Sequence, residues 1–190
     1  KVIEDDKHLN AFIRLPDGRL VILGEAGTIL LSADAGRTWT AVASPYKGSL
    51  FGGLVADDGA IVAFGLRGRI FRSADAGKSW KSVDNASTAT LMGGTKLPDG
   101  ALVIAGNGGT VLVSRDNGAS FGPLATGITK AYSKAIVGSA NAMLLFGGGV
   151  AGGQVHGAWP GLAPDKLDDG DLAGQAMRAC FSHPATASGG

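Results

Sequence analysis

The sequence has a single cysteine, Cys180, which excludes an internal disulfide framework. It has almost no excess charge. Its 17 Lys and Arg against 16 Asp and Glu leave a formal net charge of +1, which argues against the clustered basic face of a nucleic-acid binder. No apolar run reaches the length of a membrane-spanning helix, so no membrane insertion is expected. Metal ligands are sparse. Cys180, His183 and His156 fall short of the four that a closed site needs, and no second pair exists; neither a metal nor a cofactor is expected. The chain begins at Lys1, without a methionine or a signal-like segment, and reads as a processed form or a fragment.

Glycine, in contrast, is abundant at 32 of 190 residues, and it is periodic. "SADAGRTW" at 32–39 returns as "SADAGKSW" at 73–80 and, loosened, as "SRDNGASF" at 114–121, at intervals of 41 residues. Gly18, Gly59 and Gly100 close three Asp-Gly turns at the same interval, and so do the pairs Gly24/Gly27, Gly65/Gly68 and Gly106/Gly109. A period of 40–45 residues belongs to propeller blades or helical arrays. Turn signals every ten or so positions favour many short strands over helical hairpins.

The first copy parses as four strands, "LNAFIRL", "RLVILG", "TILLSA" and "TWTAVA", each bounded by a turn with a mechanism. Glycine supplies positive φ there, and aspartate bonds nearby backbone N–H groups. The second strand of every copy is almost wholly apolar, as a strand covered on both faces should be. A four-stranded meander repeated at this period is a propeller blade. The expected fold is all-β: three full antiparallel blades over about 8–48, 49–89 and 90–130, and a partial fourth over 131–149.

In S-x-D-x-G-x-[ST]-[WF] the residue types have structural work to do. Asp34, Asp75 and Asp116 sit in the turn between strands three and four, where each carboxylate can accept backbone N–H groups. Gly36, Gly77 and Gly118 supply a left-handed residue. Ser32, Ser73 and Ser114 open the motif, and Trp39, Trp80 and Phe121 start the outer strand. Burying an aromatic of that size removes ~150–250 Å² from water, roughly 4–6 kcal/mol per blade as an upper value. The motif is expected to hold the blade and to do no chemistry.

The eight residues resemble the Asp-box, or BNR repeat, of sialidases, sortilin-type receptors and other propellers. The longer pattern from Gly24 to Trp39 and from Gly65 to Trp80 is similar to the photosystem II assembly and stability factor family and its bacterial relatives, over about residues 8–149. That resemblance implies an exported, extracytoplasmic, non-catalytic protein that binds a protein partner and helps assemble membrane complexes. The other reading it leaves open is a fragment of a sialidase-like glycoside hydrolase or a glycan-binding propeller.

The fourth copy begins with "AMLLFG" at 142–147 and then fails: the next residues are glycine-rich, and no third strand or Asp-box is expected. Residues 150–190 form a Gly/Pro/Ala-rich tail, with one short helix expected over 171–182. The stretch 152–167 resembles part of an unrelated bacterial family of alkaline-phosphatase-like proteins, without any metal-site motif. Three and a half blades leave open sheet edges, so self-association or further blades from a longer chain are expected.

For the hydrolase reading, Ile13-Arg14-Leu15-Pro16 looks like the signature that carries the first carboxylate-binding arginine of sialidases. Its in-register counterpart, Thr95-Lys96-Leu97-Pro98, makes it this repeat's own hairpin instead. "GNGG" at 106–109 and "GGG" at 147–149 lack the helix and lysine of phosphate loops and read as turns. The edge that carries the strand two-to-three turns and the blade-to-blade loops is where the copies differ. It offers Glu25, Tyr46, Lys47, Arg67, Arg69, Lys130 and Tyr132 as an exposed protein-binding surface.

Overall fold

The computed structural model describes residues 6–126, 129–137, 142–147 and 150–154; the helix expected over 171–182 lies outside them. Four antiparallel sheets follow one another. The first holds β1 (Leu9–Arg14), β2 (Leu20–Gly24), β3 (Ile29–Ser32) and β4 (Thr40–Ala41) in chain order. The second holds β5 (Leu50–Val55), β6 (Ile61–Gly65), β7 (Ile70–Ser73) and β8 (Lys81–Val83). The third holds β9 (Leu91–Lys96), β10 (Leu102–Gly106), β11 (Val111–Ser114) and β12 (Gly122–Pro123). The fourth holds β13 (Tyr132–Val137), β14 (Ala142–Gly147) and β15 (Val150–Gln154).

β15 corrects the expectation that the fourth copy stops after two strands. It pairs with β14 from Ala142↔Gln154 to Phe146↔Val150. A run as glycine-rich as Val150–Gln154 has little strand propensity of its own, and the ladder offered by β14 decides its conformation. An outer strand and a turn of the eight-residue repeat, called an Asp-box turn for the motif it resembles, have no counterpart in the fourth sheet among the described residues.

The first strands stand side by side, β1 next to β5, β5 next to β9 and β9 next to β13, so each sheet runs outward from an inner strand. This is a propeller segment of four blades. Its apolar residues sort into three cores, one at each junction. Ile13, Val21 and Leu23 meet Leu50, Ile61 and Phe71; Val62, Phe64 and Ile70 meet Leu91, Ile104 and Phe121; Val103, Ala105 and Val111 meet Tyr132, Ala135 and Leu145. β6 and β10, apolar throughout, are buried at every position.

Glycines of the inner strands let the blades approach. A Cβ on Gly53 would lie 2.3 Å from Ile13 Cδ1 of the blade before, and one on Gly94 would lie 3.2 Å from Leu54 Cδ1. The Asp-box turns are junction contacts as well, which the local motif does not announce. Gly77 lies against Leu31 of the first blade and Gly118 against Val62 of the second, and Arg72 Nε donates to Asn117 O at 2.9 Å across the second junction.

Candidate functional site

The two edges of the blades differ in chemistry. One carries the Asp-Gly and Asp-box turns, and there the polar groups are consumed internally. Ser32 Oγ donates to Asp34 Oδ1 at 2.8 Å and accepts the Gly36 N–H at 2.8 Å. Asp34 accepts the Thr38 N–H on Oδ1 at 2.8 Å and the Thr38 hydroxyl on Oδ2 at 2.6 Å. The same four bonds recur through Ser73, Asp75, Gly77 and Ser79, and through Ser114, Asp116, Gly118 and Ser120. Trp39 and Trp80 fold back so that each Nε1 donates to the carbonyl of its own turn glycine, Gly36 or Gly77, at 3.1 and 3.0 Å. Phe121, which has no such donor, is buried.

These bonds favour the ionised carboxylates. The Thr38 hydroxyl, then its N–H and Ser32, hold Asp34 down at about 2, and Ser79 and Ser73 do the same for Asp75. At Asp116 partial burial opposes ionisation, yet Ser120 and Ser114 still bring it to about 2. The turn glycines adopt φ of 88°, 88° and 78° at Gly36, Gly77 and Gly118. The residue before each is left-handed too: Ala35, Ala76 and Asn117 at 58°, 60° and 57°, a conformation uncommon for alanine and not signalled by the sequence.

The opposite edge is made by the single-turn 3-10 helices Glu25–Gly27, Leu66–Gly68 and Asn107–Gly109 and by the loops between blades. The residues expected there part company. Arg67, Arg69, Lys47 and Lys130 are exposed. Arg67 is held at φ 58° in its turn, and with Arg69 it borders a cleft of about 180 Å³ that Ser82, Asp84, Asn85 and Ser87 complete. The sequence reading missed those last residues; their signal is a blade-to-blade loop that differs from the loops before and after it. Asn85 Nδ2 donates to Gly68 O at 2.8 Å and fixes the loop to the turn. Glu25 is half-buried and occupied: it accepts from His8 Nδ1 at 3.0 Å, which lowers its pKa.

Two aromatics depart from expectation. Tyr46 is half-buried, its ring centroid 5.7 Å from that of Phe71 and its hydroxyl donating to Leu66 O at 3.3 Å, so it joins two blades and is not a free loop side chain. Tyr132 is 2% exposed. It stands 41 and 82 residues after Leu91 and Leu50, at the core position that opens β5 and β9, and its hydroxyl has no partner among the described residues. Arg14 is exposed at the end of β1. Among the described residues no three His, Cys, Asp or Glu side chains gather where a metal could be held.

No family model and no curated protein matches the sequence. Solved structures match in fold. YCF48 bound to D1 peptide superposes with a TM-score of 0.61 at 18% identity, over 80% of this chain and 51% of that one. Catalytically inactive virginiamycin B lyase from Staphylococcus aureus with quinupristin gives 0.65 at 18% identity, over 80% and 54%. The fold is a β-propeller. YCF48 from Cyanidioschyzon merolae gives 0.55 at 12% identity, over 83% and 70%. This chain spans about half the length of the first two. One fold thus serves an assembly of protein and peptide and an enzyme, and at these identities the likeness speaks for architecture alone.

Proposed function

We propose that this chain is a non-catalytic propeller scaffold whose loop edge holds a segment of a protein partner, in the assembly of membrane-associated complexes outside the cytoplasm. One observation carries the reading: two neighbouring arginines border a cleft on the loop edge. On the turn edge Arg19, Arg72, Lys96 and Arg115 are each ion-paired with an aspartate, while Arg37 and Lys78 are exposed. On the loop edge Arg67, Arg69 and Lys47 are exposed and make no ion pair among the described residues. Unpaired guanidinium groups beside a cleft on a rigid scaffold suit bidentate recognition of carboxylates. The YCF48 structure, solved with a peptide of D1, supports a propeller of this kind as a peptide-binding body.

The hydrolase reading, a sialidase-like or glycan-binding propeller fragment, rests on Arg14. Lys96, its in-register counterpart, pairs with Asp57 at 2.6 Å, which favours a hairpin-edge role for both positions. The test is an array of acidic, neutral and basic peptides, run beside an aryl-glycoside panel. Acidic peptides are expected to bind, to weaken as salt rises, and to be lost in Arg67→Ala/Arg69→Ala with the melting temperature unchanged. Glycoside turnover that disappears in a still-folded Arg14→Ala protein would overturn the scaffold reading.

A further inference from the structure

At the first two junctions the Asp-box of the following blade covers the outer part of the blade before it. Trp80 packs into the cluster that holds Leu31 and Val42, and Gly77 lies on Leu31. Phe121 packs into the cluster that holds Val83, while Asn117 takes the Arg72 guanidinium. Gly77 and Gly118 are buried by this docking; Gly36 of the first blade, with no blade before it among the described residues, is half-buried.

The third blade repeats the surface that is covered. Val113 and Leu124 stand 41 residues after Arg72 and Val83 and 82 after Leu31 and Val42. With Gly122 and Pro123 they floor an open cleft of about 390 Å³, rimmed by Arg115, Asp116 and Ser120. Leu124 is half-buried where Val83 is 7% exposed. No Asp-box follows β15 in the sequence to close it.

We propose that Trp159, from the segment beyond β15, occupies this cleft and serves the fourth blade as Trp80 serves the second. Chain length supports this occupant, which lies three residues before the in-register position. β15 ends at Gln154, so Trp159 is five residues further on and within about 16 Å of chain. The place for an outer strand lies only ~4.8 Å beyond β15. The in-register position of the Asp-box aromatic is residue 162, a leucine, and Trp159 is the one Phe, Trp or Tyr between Gln154 and Phe181. Its tether to β15 gives it a local concentration that a free partner does not reach. The floor is apolar enough to take an indole face, and the rim is polar enough to leave its edge wet.

Tryptophan emission tests this directly. Trp39→Phe/Trp80→Phe leaves Trp159 as the only indole, and Phe121 shows that the Asp-box accepts phenylalanine. Trp159 is expected to emit to the blue of a water-exposed indole, with a several-fold smaller acrylamide quenching constant. Leu124→Asp and, separately, Val113→Asp are expected to move both readings toward the exposed values while far-UV circular dichroism is unchanged. If the double phenylalanine variant does not fold, the difference spectrum between the parent protein and Trp159→Ala gives the same reading. Exposed-type emission in the folded parent would overturn the proposal, as would emission indifferent to both aspartate variants. Protection that vanishes on dilution together with a dimer seen by light scattering would assign the cleft to a second copy. Protection that arises only when a peptide is added would assign it to a partner.

Discussion

Ser73 is the least conspicuous member of the Asp-box and the one whose loss is most instructive. Its side chain is 1% exposed, donates to Asp75 Oδ1 and accepts the N–H of the buried Gly77, both at 2.8 Å. Ser73→Ala removes both bonds and puts nothing in their place. The donor bond matters less, because Asp75 lies at the surface and water can replace it there. The acceptor bond is the larger loss: Gly77 sits under Leu31 of the neighbouring blade, and its N–H is left dry. An orphaned buried donor costs ~1–3 kcal/mol. For a protein of this size each kcal/mol lowers the melting temperature by roughly 2–4 °C, so a fall of about 4–8 °C is expected for a loss near 2 kcal/mol. Calorimetry of Ser73→Ala beside Ser82→Ala, an exposed serine of β8, measures it; the control should change by less than about 0.5 kcal/mol. Equal shifts in the two variants would refute the accounting of the Gly77 N–H. A double-mutant cycle with Asp75→Ala is expected to be strongly non-additive, because the two side chains serve one turn.

Gly53→Ala places a methyl group 2.3 Å from Ile13 Cδ1 and is expected to cost ~1–3 kcal/mol by overpacking. Adding Ile13→Val, which deletes that atom, should recover part of the loss in urea unfolding, and no recovery would show that the contact is not the cause. The Asp-box aspartates predict a pH dependence as well. Their folded pKa values of about 2 lie below the ordinary 3.8, so the stability they contribute is complete above about pH 4 and is lost as pH falls toward 2. Thermal midpoints should drop across that window, and Asp75→Asn should start lower at neutral pH and drop less; parallel curves would refute the assignment.

Where the same turn chemistry is written three times, the sequence is explicit. The strands end where Asp-Gly and Asp-box residues say they end, and the interval of 41 residues places each element of one blade in the next. Legibility fails where context overrides local character. Val150–Gln154 is a strand because β14 offers it a ladder. Tyr132 looks like part of a loop when read with its neighbours, yet the 41-residue offset to Leu91 and Leu50 already marked it as core. For Tyr46 there was no such cue, since its loop is not repeated and its partners Phe71 and Leu66 lie in the following blade. Alanine in the left-handed region at Ala35 and Ala76 is invisible to composition, because the turn itself imposes it, with a docked blade behind Gly77 and without one among the described residues behind Gly36. Of the loop-edge residues, Arg67 and Arg69 needed the structure before the cleft they border could be seen.

The junctions also follow a volume rule that bears on what can meet the first blade. Where the preceding blade presents Ile13 and Leu23, the receiving residue is Gly53; where it presents Leu54 and Phe64, the receiving residue is Gly94. At the third junction Thr95 and Ala105 come in register, and Ala135 receives them in a core that includes Ala105. Large side chains face glycine, and small ones tolerate a methyl group. On the first blade the receiving position is Phe12, which is 62% exposed and lies near Leu9, 46% exposed. The corresponding residues on the far side of the fourth blade are Ile136 and Phe146. A second copy closing the ring in the register of the internal junctions would set those two side chains against Phe12, in a space that elsewhere holds a glycine or, against small neighbours, an alanine. A ring of two copies is therefore sterically disfavoured in that register, although the open edges invite association. A preceding blade with small residues at these two positions would accept Phe12 as filling, which makes residue size there the property that decides what the first blade can pack against.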